Sequence, residues 1–258
     1  MKLKNSVVTV ILPVYNASKY LPDCLNSLEL QSYQDLQIIA IDDHSRDDSL
    51  KILRKYKKNF ENFEIYHNKK RYGLAICYNR ALKRARGKYI AFMNPHDINA
   101  ISRFKRQVNF LLNNPKTVAV GTQYTGIDES NKKLERSDLP EEHETIYDTL
   151  LHTSSLHPET IMINRELLPK DLLYFKNNKY PFIYTEVFVK FFQYGKVANI
   201  RQSLYFHREG IKRHGKQATK MNQIVSTMKL WFSSRSNYDY KPSIRNFVQP
   251  IIKDTLQT

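Results

Sequence analysis

The chain is predicted to be an α/β protein, a doubly wound, mostly parallel central sheet flanked by helices, with a C-terminal helical extension. Three observations carry this. Near-continuous apolar, β-branched runs recur as Val7-Val8-Thr9-Val10-Ile11-Leu12, Leu36-Gln37-Ile38-Ile39-Ala40-Ile41 and Lys88-Tyr89-Ile90-Ala91-Phe92-Met93, which suits strands buried on both faces. Segments of helical period separate them, with short connections. Each run ends in polar groups: Pro13-Val14-Tyr15-Asn16, Asp42-Asp43-His44-Ser45 and Asn94-Pro95-His96-Asp97. In open parallel sheets, ligands collect beyond the carboxyl ends of the strands.

The elements follow in order. After the first strand, Ser18 is a candidate cap, and Tyr20, Leu21, Cys24, Leu25 and Leu28 recur at helical spacing. After the second strand, Asp47, Asp48 and Ser49 supply acidic and capping groups to a helix whose inner stripe is Leu50, Ile52, Leu53 and Tyr56. Phe63–His67 reads as a short third strand. Gly73 opens a helix through Leu74, Ala75, Tyr78, Ala81 and Leu82, and Gly87 ends it. A helix over about Ile101–Leu112 follows the fourth strand, and Thr117–Thr122 is a fifth strand. The polar stretch Gly126–Glu144 reads as a hairpin or loop. Helix returns at Glu144–His152, His157–Asn164 is strand-like, Tyr184–Tyr194 is a helix ended by Gly195, and Val197–Ile200 is a late strand. A last helix, from about Gln217, carries Ile224, Met228, Leu230, Trp231 and Phe232. The expected organisation is a domain over 1–215, with a donor-nucleotide half over 1–125 and an acceptor half over 126–215, followed by the helical extension over 216–258.

At 258 residues, with 41% hydrophobic content, the chain can bury a substantial core. No run of about 18 apolar residues occurs, so no membrane span is expected. No signal-peptide pattern precedes the first strand, so cytoplasmic residence is the expectation. Cys24 and Cys77 lack metal or redox spacing and read as buried free thiols. The formal net charge of +16 and pI of about 9.7 favour anionic partners such as nucleotide phosphates or acidic lipid headgroups, with a basic solvated surface as the bland alternative. No RNA-recognition, zinc-finger or helix-turn-helix text is present, and no nucleic-acid partner is expected.

The run of motifs Val10-Ile11-Leu12-Pro13-Val14-Tyr15-Asn16, Asp42-Asp43-His44-Ser45, Tyr72-Gly73-Leu74-Ala75 with Asn79, Gly87-Lys88-Tyr89-Ile90-Ala91-Phe92-Met93, Arg103 with Gln107, His157-Pro158, and Tyr194-Gly195-Lys196-Val197-Ala198-Asn199-Ile200 resembles family 2 glycosyltransferases of the GT-A fold, over about residues 5–210. The resemblance implies an inverting transfer of a sugar from a nucleotide diphosphate, here a UDP-sugar, to an acceptor hydroxyl of a glycan, lipid-linked or protein acceptor. It implies that Pro13, Tyr15, Asp42, Asp43, Arg71 and Asn79 hold the nucleotide. Tyr15 can stack on uracil, and a carboxylate can accept the uracil N–H or a ribose hydroxyl. The loop Asn68-Lys69-Lys70-Arg71-Tyr72-Gly73 is either an anion site before a helix N-terminus or a solvated basic turn.

Two stretches depart from the family pattern. Where relatives carry Asp-x-Asp, this chain has Asn94-Pro95-His96-Asp97. A divalent cation, Mn²⁺ or Mg²⁺, would then be held by His96, Asp97 and Glu209, the last at the position of a later family histidine. A site of His, Asp and Glu suits Mn²⁺ better than Mg²⁺. Neutralisation by Lys and Arg, or loss of metal binding, are the other readings, and weak or absent metal dependence is preferred. Where relatives carry Glu-Asp before the Tyr194-Gly195 helix end, this chain has Ile183-Tyr184, which leaves Glu186 as the candidate catalytic base. His157 is expected on the acceptor side. The segment Lys212-Arg213-His214-Gly215-Lys216-Gln217, with the Met228–Phe232 cluster, could make peripheral membrane contact, although packing of that helix back on the domain is preferred. Because both departures touch the chemistry, a degenerate relative that binds nucleotide or glycan without turnover is the alternative function.

Overall fold

The computed structural model describes residues 7–151, 155–176, 183–211 and 220–242. Strands β1 (Val8–Val14) and β2 (Leu36–Asp42) pair in parallel from Val8–Leu36 to Val14–Asp42, and every residue of both is buried. β3 (Phe63–His67) adds to the outer side of β2, and β4 (Tyr89–Phe92) pairs with the other side of β1. The chain therefore steps outward from β1 to β3 and then crosses back, so the strand order reverses between β1 and β4. That reversal opens a crevice at their carboxyl ends.

Beyond β4 the sheet continues through β8 (Met162–Asn164), β6 (Thr117–Ile127), β9 (Lys196–Arg208) and β5 (Ile98–Asn99), while β7 (Lys133–Arg136) folds back on β6. β1 to β4, β6 and β9 run one way, and β5, β7 and β8 run against them. Helices α1 (Leu21–Glu29), α2 (Ser49–Tyr56) and α4 (Arg103–Asn113) cover one face. Val8, Val10 and Leu12 of β1 meet Leu21, Cys24 and Leu25 of α1 there, joined by Phe104 and Val108 of α4. On the other face, Ile11 of β1 joins Ala75, Tyr78 and Ala81 of α3 (Leu74–Leu82), Ile146 of α5 (His143–Thr149) and Val187 and Phe191 of α6 (Thr185–Phe191). This alternation along β1 is the period of two that a doubly covered strand requires.

Several boundaries differ from the sequence reading. α1 begins at Leu21 rather than after Ser18, because Pro22 fits only the first helical turn. The Ser18 N–H instead donates to Asp47 Oδ2 at 2.9 Å. β6 and β9 are 11 and 13 residues long, well beyond the apolar cores that announced them. Polar residues such as Gln123, Thr125, Gln202 and Ser203 interrupt the apolar pattern there, so pairing with each other rather than hydrophobic pattern extends them. β5, two residues, had no signal of its own. The 126–144 stretch does contain a hairpin, β6–β7. β6 also crosses the expected 125/126 division, and the sheet is continuous through both halves.

The extension forms α7 (Lys220–Tyr238). It packs on the domain through Leu230 and, just past its end, Tyr240, whose ring stacks on Phe192 at 5.3 Å and whose hydroxyl donates to the Tyr147 carbonyl. Met228 and Phe232 remain exposed. The basic segment 212–217 lies outside the described residues. Among those residues no helix is long and apolar enough to cross a membrane.

Gly87 does not close α3, which ends at Leu82 with Lys83 as its cap; it stands just before β4. A Cβ there would stand 2.6 Å from the Thr9 nitrogen and 2.9 Å from the Val8 carbonyl carbon, both backbone of β1. Gly87→Ala is therefore expected to cost about 1–3 kcal/mol, read as a lower urea midpoint; an unchanged midpoint would show that the approach is not tight. Cys24 and Cys77 are both buried. Burial raises the Cys24 thiol well above its ordinary pKa, and burial with the nearby Asp43 charge pushes Cys77 up to about 12. Neither thiol should react with an aromatic disulfide reagent at pH 8 in the native protein, and both should react in denaturant.

Candidate active site

A cavity of about 650 Å³ opens at the β1–β4 reversal. Its first wall is the end of β1 and the following turn, Pro13 to Ala17, with Lys19 and Tyr20. Its second is Asp43, Arg71, Gly73 and Leu74. Asn94, Pro95 and His96, which follow β4, and Glu159, Tyr184 and Ile211 complete the lining. The first two walls come from the N-terminal part of the chain, and Glu159, Tyr184 and Ile211 from beyond residue 126. The lining thus draws on both.

The Arg71 guanidinium lies 4.1 Å from the centroid of the Tyr15 ring, within cation–π range. Asp43, at the end of β2, organises the loop that carries Arg71. Its Oδ1 accepts from Asn68 Nδ2 at 2.7 Å and from the Tyr72 N–H at 2.9 Å, and its Oδ2 accepts from the Gly73 N–H at 2.8 Å. The N–H groups expected to serve an anion are thus already engaged at Tyr72 and Gly73. Gly73 has φ of 89°, a conformation that glycine adopts without strain. Arg80 supports the same loop, donating to Asn68 Oδ1 and covering the Tyr72 ring at 4.2 Å. Asp42 is fully buried beside the cavity wall. Its Oδ2 meets His67 Nδ1 at 2.7 Å, and its Oδ1 has no hydrogen-bond partner among the described residues. Pro13, Tyr15, Asp43 and Arg71 are thus brought together. Asn79 is not, because its amide bonds both the N–H and the carbonyl of Phe175 at 2.9 and 2.8 Å.

The expected cation ligands do not converge. His96 lines the cavity, but Asp97 is fully buried behind it. Asp97 Oδ1 accepts from the Arg208 N–H at 2.9 Å, and Oδ2 accepts from the Tyr205 hydroxyl at 2.9 Å and lies 3.3 Å from His207 Nδ1. Glu209 is exposed and its carboxylate sits over Gly126. Among the described residues no three His, Cys, Asp or Glu side chains group as a cation would need. His96, Asp97 and Glu209 as arranged do not fit a divalent ion, because Asp97 is buried and engaged by Tyr205 and Arg208, and no three such side chains group among the described residues.

Glu186 does not line the cavity either. Its Oε1 pairs with Lys176 Nζ at 2.6 Å, which raises the Lys176 pKa. The residue that sequence reasoning missed is Glu159. It is one of two acidic residues, with Asp43, in the described cavity lining. It follows His157-Pro158 in a 3₁₀ turn, Pro158–Thr160, so its proximity to a predicted acceptor-side motif was an available signal. Glu159 Oε2 lies 3.3 Å from His157 Nδ1. His157 in turn packs against Tyr124 and His207, with ring centroids 4.5 and 4.8 Å away. Tyr184 meets Tyr78 through their hydroxyls at 2.7 Å, and burial raises both phenols well above their usual pKa. The Tyr78–Tyr184 pair makes this part of the wall aromatic.

Residues 9–172 match the model of glycosyl transferase family 2. The chain belongs to this family. A glycosyltransferase of Haemophilus influenzae, itself uncharacterized, is 29% identical over 224 residues, covering 86% of this chain and 85% of that one. S. aureus TarS residues 1–349, solved in complex with UDP-GlcNAc, superposes with a TM-score of 0.75 at 19% identity, covering 95% of this chain and 71% of that fragment. The mannosyltransferase PcManGT of Pyrobaculum calidifontis, solved with GDP-Man and Mn²⁺, gives a TM-score of 0.65 at 18% identity, over 96% of this chain and 68% of that one. The family 2 member described here thus has the GT-A architecture, with a helix-flanked sheet that curls at its far edge.

Asp43 is central to the loop of this glycosyltransferase. Asp43→Ala would leave the Asn68, Tyr72 and Gly73 donors without their acceptor, at about 1–3 kcal/mol for a buried group left unsatisfied. The expected result is a lower unfolding midpoint together with faster amide exchange over residues 68–73; unchanged exchange there would show that the loop is held by something else.

Proposed function

We propose that the protein is an inverting glycosyltransferase that moves a sugar from a UDP-sugar to a hydroxyl of a glycan, lipid-linked or protein acceptor, in glycan or glycoconjugate synthesis. The observation that carries this reading is the cavity at the β1–β4 reversal, lined by the layered Tyr15 and Arg71 together with Asp43, Glu159 and Tyr184. A flat base stacks on the Tyr15–Arg71 platform. Asp43, and the unpartnered oxygen of Asp42 beside it, supply acceptors for an imide N–H or a ribose hydroxyl. The diphosphate then lies toward Asn94 and His96, within reach of the Arg71 and Lys19 cations. The sugar falls on the side of Glu159 and Tyr184. TarS, whose complex holds UDP-GlcNAc, shares this architecture over most of the chain, as does PcManGT, solved with GDP-Man; both support a nucleotide-sugar donor in this cavity.

A second reading is favoured by a specific observation. Asp97 is buried and bonded to Tyr205 and the Arg208 N–H, and Glu186 is ion-paired, so both positions that carry the chemistry in the family pattern have protein partners. That arrangement suits a protein that binds nucleotide or glycan without turnover.

Calorimetry with UDP and GDP, followed by nucleotide release from a panel of UDP- and GDP-sugars with and without Mn²⁺, separates the readings. The transferase reading expects UDP binding, release that depends on an acceptor, and a roughly 5- to 150-fold loss of UDP affinity in Tyr15→Ala, the span of one lost aromatic–base stack. UDP binding without release from any donor favours the second reading, and absence of nucleotide binding removes the transferase reading and leaves only the glycan-binding form of the second.

A further inference from the structure

We propose that the outward face of α2 and the edge strand β3 beside it form an electrostatic docking surface for an anionic lipid bilayer. The proposal goes beyond the transferase reading and does not depend on it. The net charge of this chain is unevenly spread. Between Arg46 and Arg86 it carries thirteen lysines and arginines against four acids, which is nine of the net sixteen charges. Of these thirteen cations, the described cavity lining takes only Arg71.

Folding gathers the others along one edge. From Ser49 to Phe60 there are five cations and no acid. Lys51, Arg54 and Lys55 recur at i, i+3 and i+4 on α2, and Lys58 follows at i+7 in the 3₁₀ turn Lys57–Asn59. These four and Lys57 are exposed, while Leu53 is buried and Ile52 and Tyr56 pack on the core. The chain then enters β3, the last strand on that side of the sheet. Arg84 covers the Tyr66 ring of β3 at 4.2 Å, and the exposed Lys69 and Lys70 follow its end. Cations thus stand before, over and after the edge strand. Lys69 and Lys70 share their loop with Arg71, so this edge adjoins the cavity along the chain.

An ordinary solvated helix does not account for the arrangement. Elsewhere on the surface, lysines are paired: Lys19 with Glu129, Lys88 with Glu166 and Lys176 with Glu186. The five cations of 51–58 have no ion pair among the described residues. Nearby acids are used otherwise: Asp47 accepts from the Ser18 and Ser49 N–H groups, and Glu29 from Asn59. Like charges at i, i+3 and i+4 destabilise a helix. The helix dipole favours Arg54 and Lys55 in the last turn but opposes Lys51 in the first. α1 and α4, on the same face of the sheet, have no cation in their last turns. None of the exposed large apolar side chains lies on α2 or β3. The surface therefore offers point charges, without the stacking rings that a single-stranded nucleic acid calls for. It suits adsorption on a plane of headgroup phosphates, worth about fivefold in affinity per cation and weakened by salt.

The test is flotation of the full chain with vesicles of phosphatidylcholine alone or with about 30% phosphatidylglycerol, at about 0.05 and 0.5 M NaCl. Wild type is expected on the anionic vesicles at low salt only. Lys51→Gln, Arg54→Gln, Lys55→Gln and Lys58→Gln together should lower the partition coefficient by about 100-fold or more, with the thermal midpoint kept, since glutamine is a good helix former. Should that variant unfold, Lys51→Gln with Lys55→Gln carries the same expectation at about 25-fold. A control with equal charge change, Lys132→Gln, Lys229→Gln, Arg235→Gln and Lys241→Gln, should stay within about threefold of wild type, because its sites lie on the β6–β7 turn and around α7. An α2 variant that binds like wild type, an equal loss in the control, or equal binding to neutral vesicles overturns the proposal. So does a wild type that ignores all vesicles, including one that binds long-chain polyphosphate or RNA through the same four residues, which would make this face a site for a soluble polyanion.

Discussion

The buried guanidinium of Arg103 is the interaction on which the arrangement of the cavity depends. It donates to the carbonyls of Phe92 at the end of β4 and Glu159 in the 3₁₀ turn, to Asn99 Oδ1 at 2.6 Å, and to Gln107 Oε1 at 3.2 Å. One side chain on α4 thus joins the last residue of β4, strand β5 and the turn that carries Glu159. Burial is costly for a cation, and desolvation lowers the Arg103 pKa to about 10. It still stays charged at neutral pH, because its donors point at carbonyl and amide oxygens and the fork matches several acceptors at once. Gln107, one helical turn on, extends the clamp to the Val120 and Thr160 carbonyls. The wall between the two parts of the chain is therefore built from backbone held by two α4 side chains.

A second buried arginine shows how the site has been reworked. Arg208 donates to the His96 carbonyl at 2.9 Å and to the Asp128 carbonyl at 2.7 Å, while its guanidinium covers the Tyr20 ring at 4.4 Å. Its own N–H engages Asp97. Residues 96–97, the end of β9, the β6–β7 turn and α1 are locked into one polar network. In such a network every donor and acceptor has a job, and removing one leaves a buried group unsatisfied. The same network explains why Asp97 is unavailable as a ligand: its charge is used to hold β9 against the end of β4.

Much of the fold was legible because it follows from local periodicity. β1, β2 and β4 announce themselves as apolar runs, and α2, α3 and α4 as amphipathic stripes, since burial on both faces of a sheet constrains every residue in turn. The long β6 and β9, the short β5 and the start of α1 were legible only in part. Their limits come from pairing with each other and from Pro22, not from hydrophobic pattern. At the site, Tyr15, Asp43 and Arg71 were legible because strand ends and the loops after them must border a switch-point crevice. Glu159 was not, because an acidic residue after His-Pro carries no periodic mark and its placement depends on Arg103, more than fifty positions away. Asn79 and Glu186 failed as cavity residues for the complementary reason: each has a partner, Phe175 or Lys176, that local sequence does not reveal.

The sequence by itself determined the alternation of strands and helices, the family, and the residues that stand at the carboxyl ends of β1 and β2. These are consequences of side-chain hydrophobicity and of spacing along the chain. Only the tertiary structure decided which carboxylates face the cavity and which are spent inside the protein. Asp42, Asp43, Asp97, Glu159 and Glu186 are chemically alike in the sequence. They are separated by which donors reach them, and those donors come from segments between 3 and 111 residues away. A carboxylate acquires its role from the hydrogen bonds that surround it, and that surrounding is assembled only when β9, α4 and the 3₁₀ turn close around the end of β4.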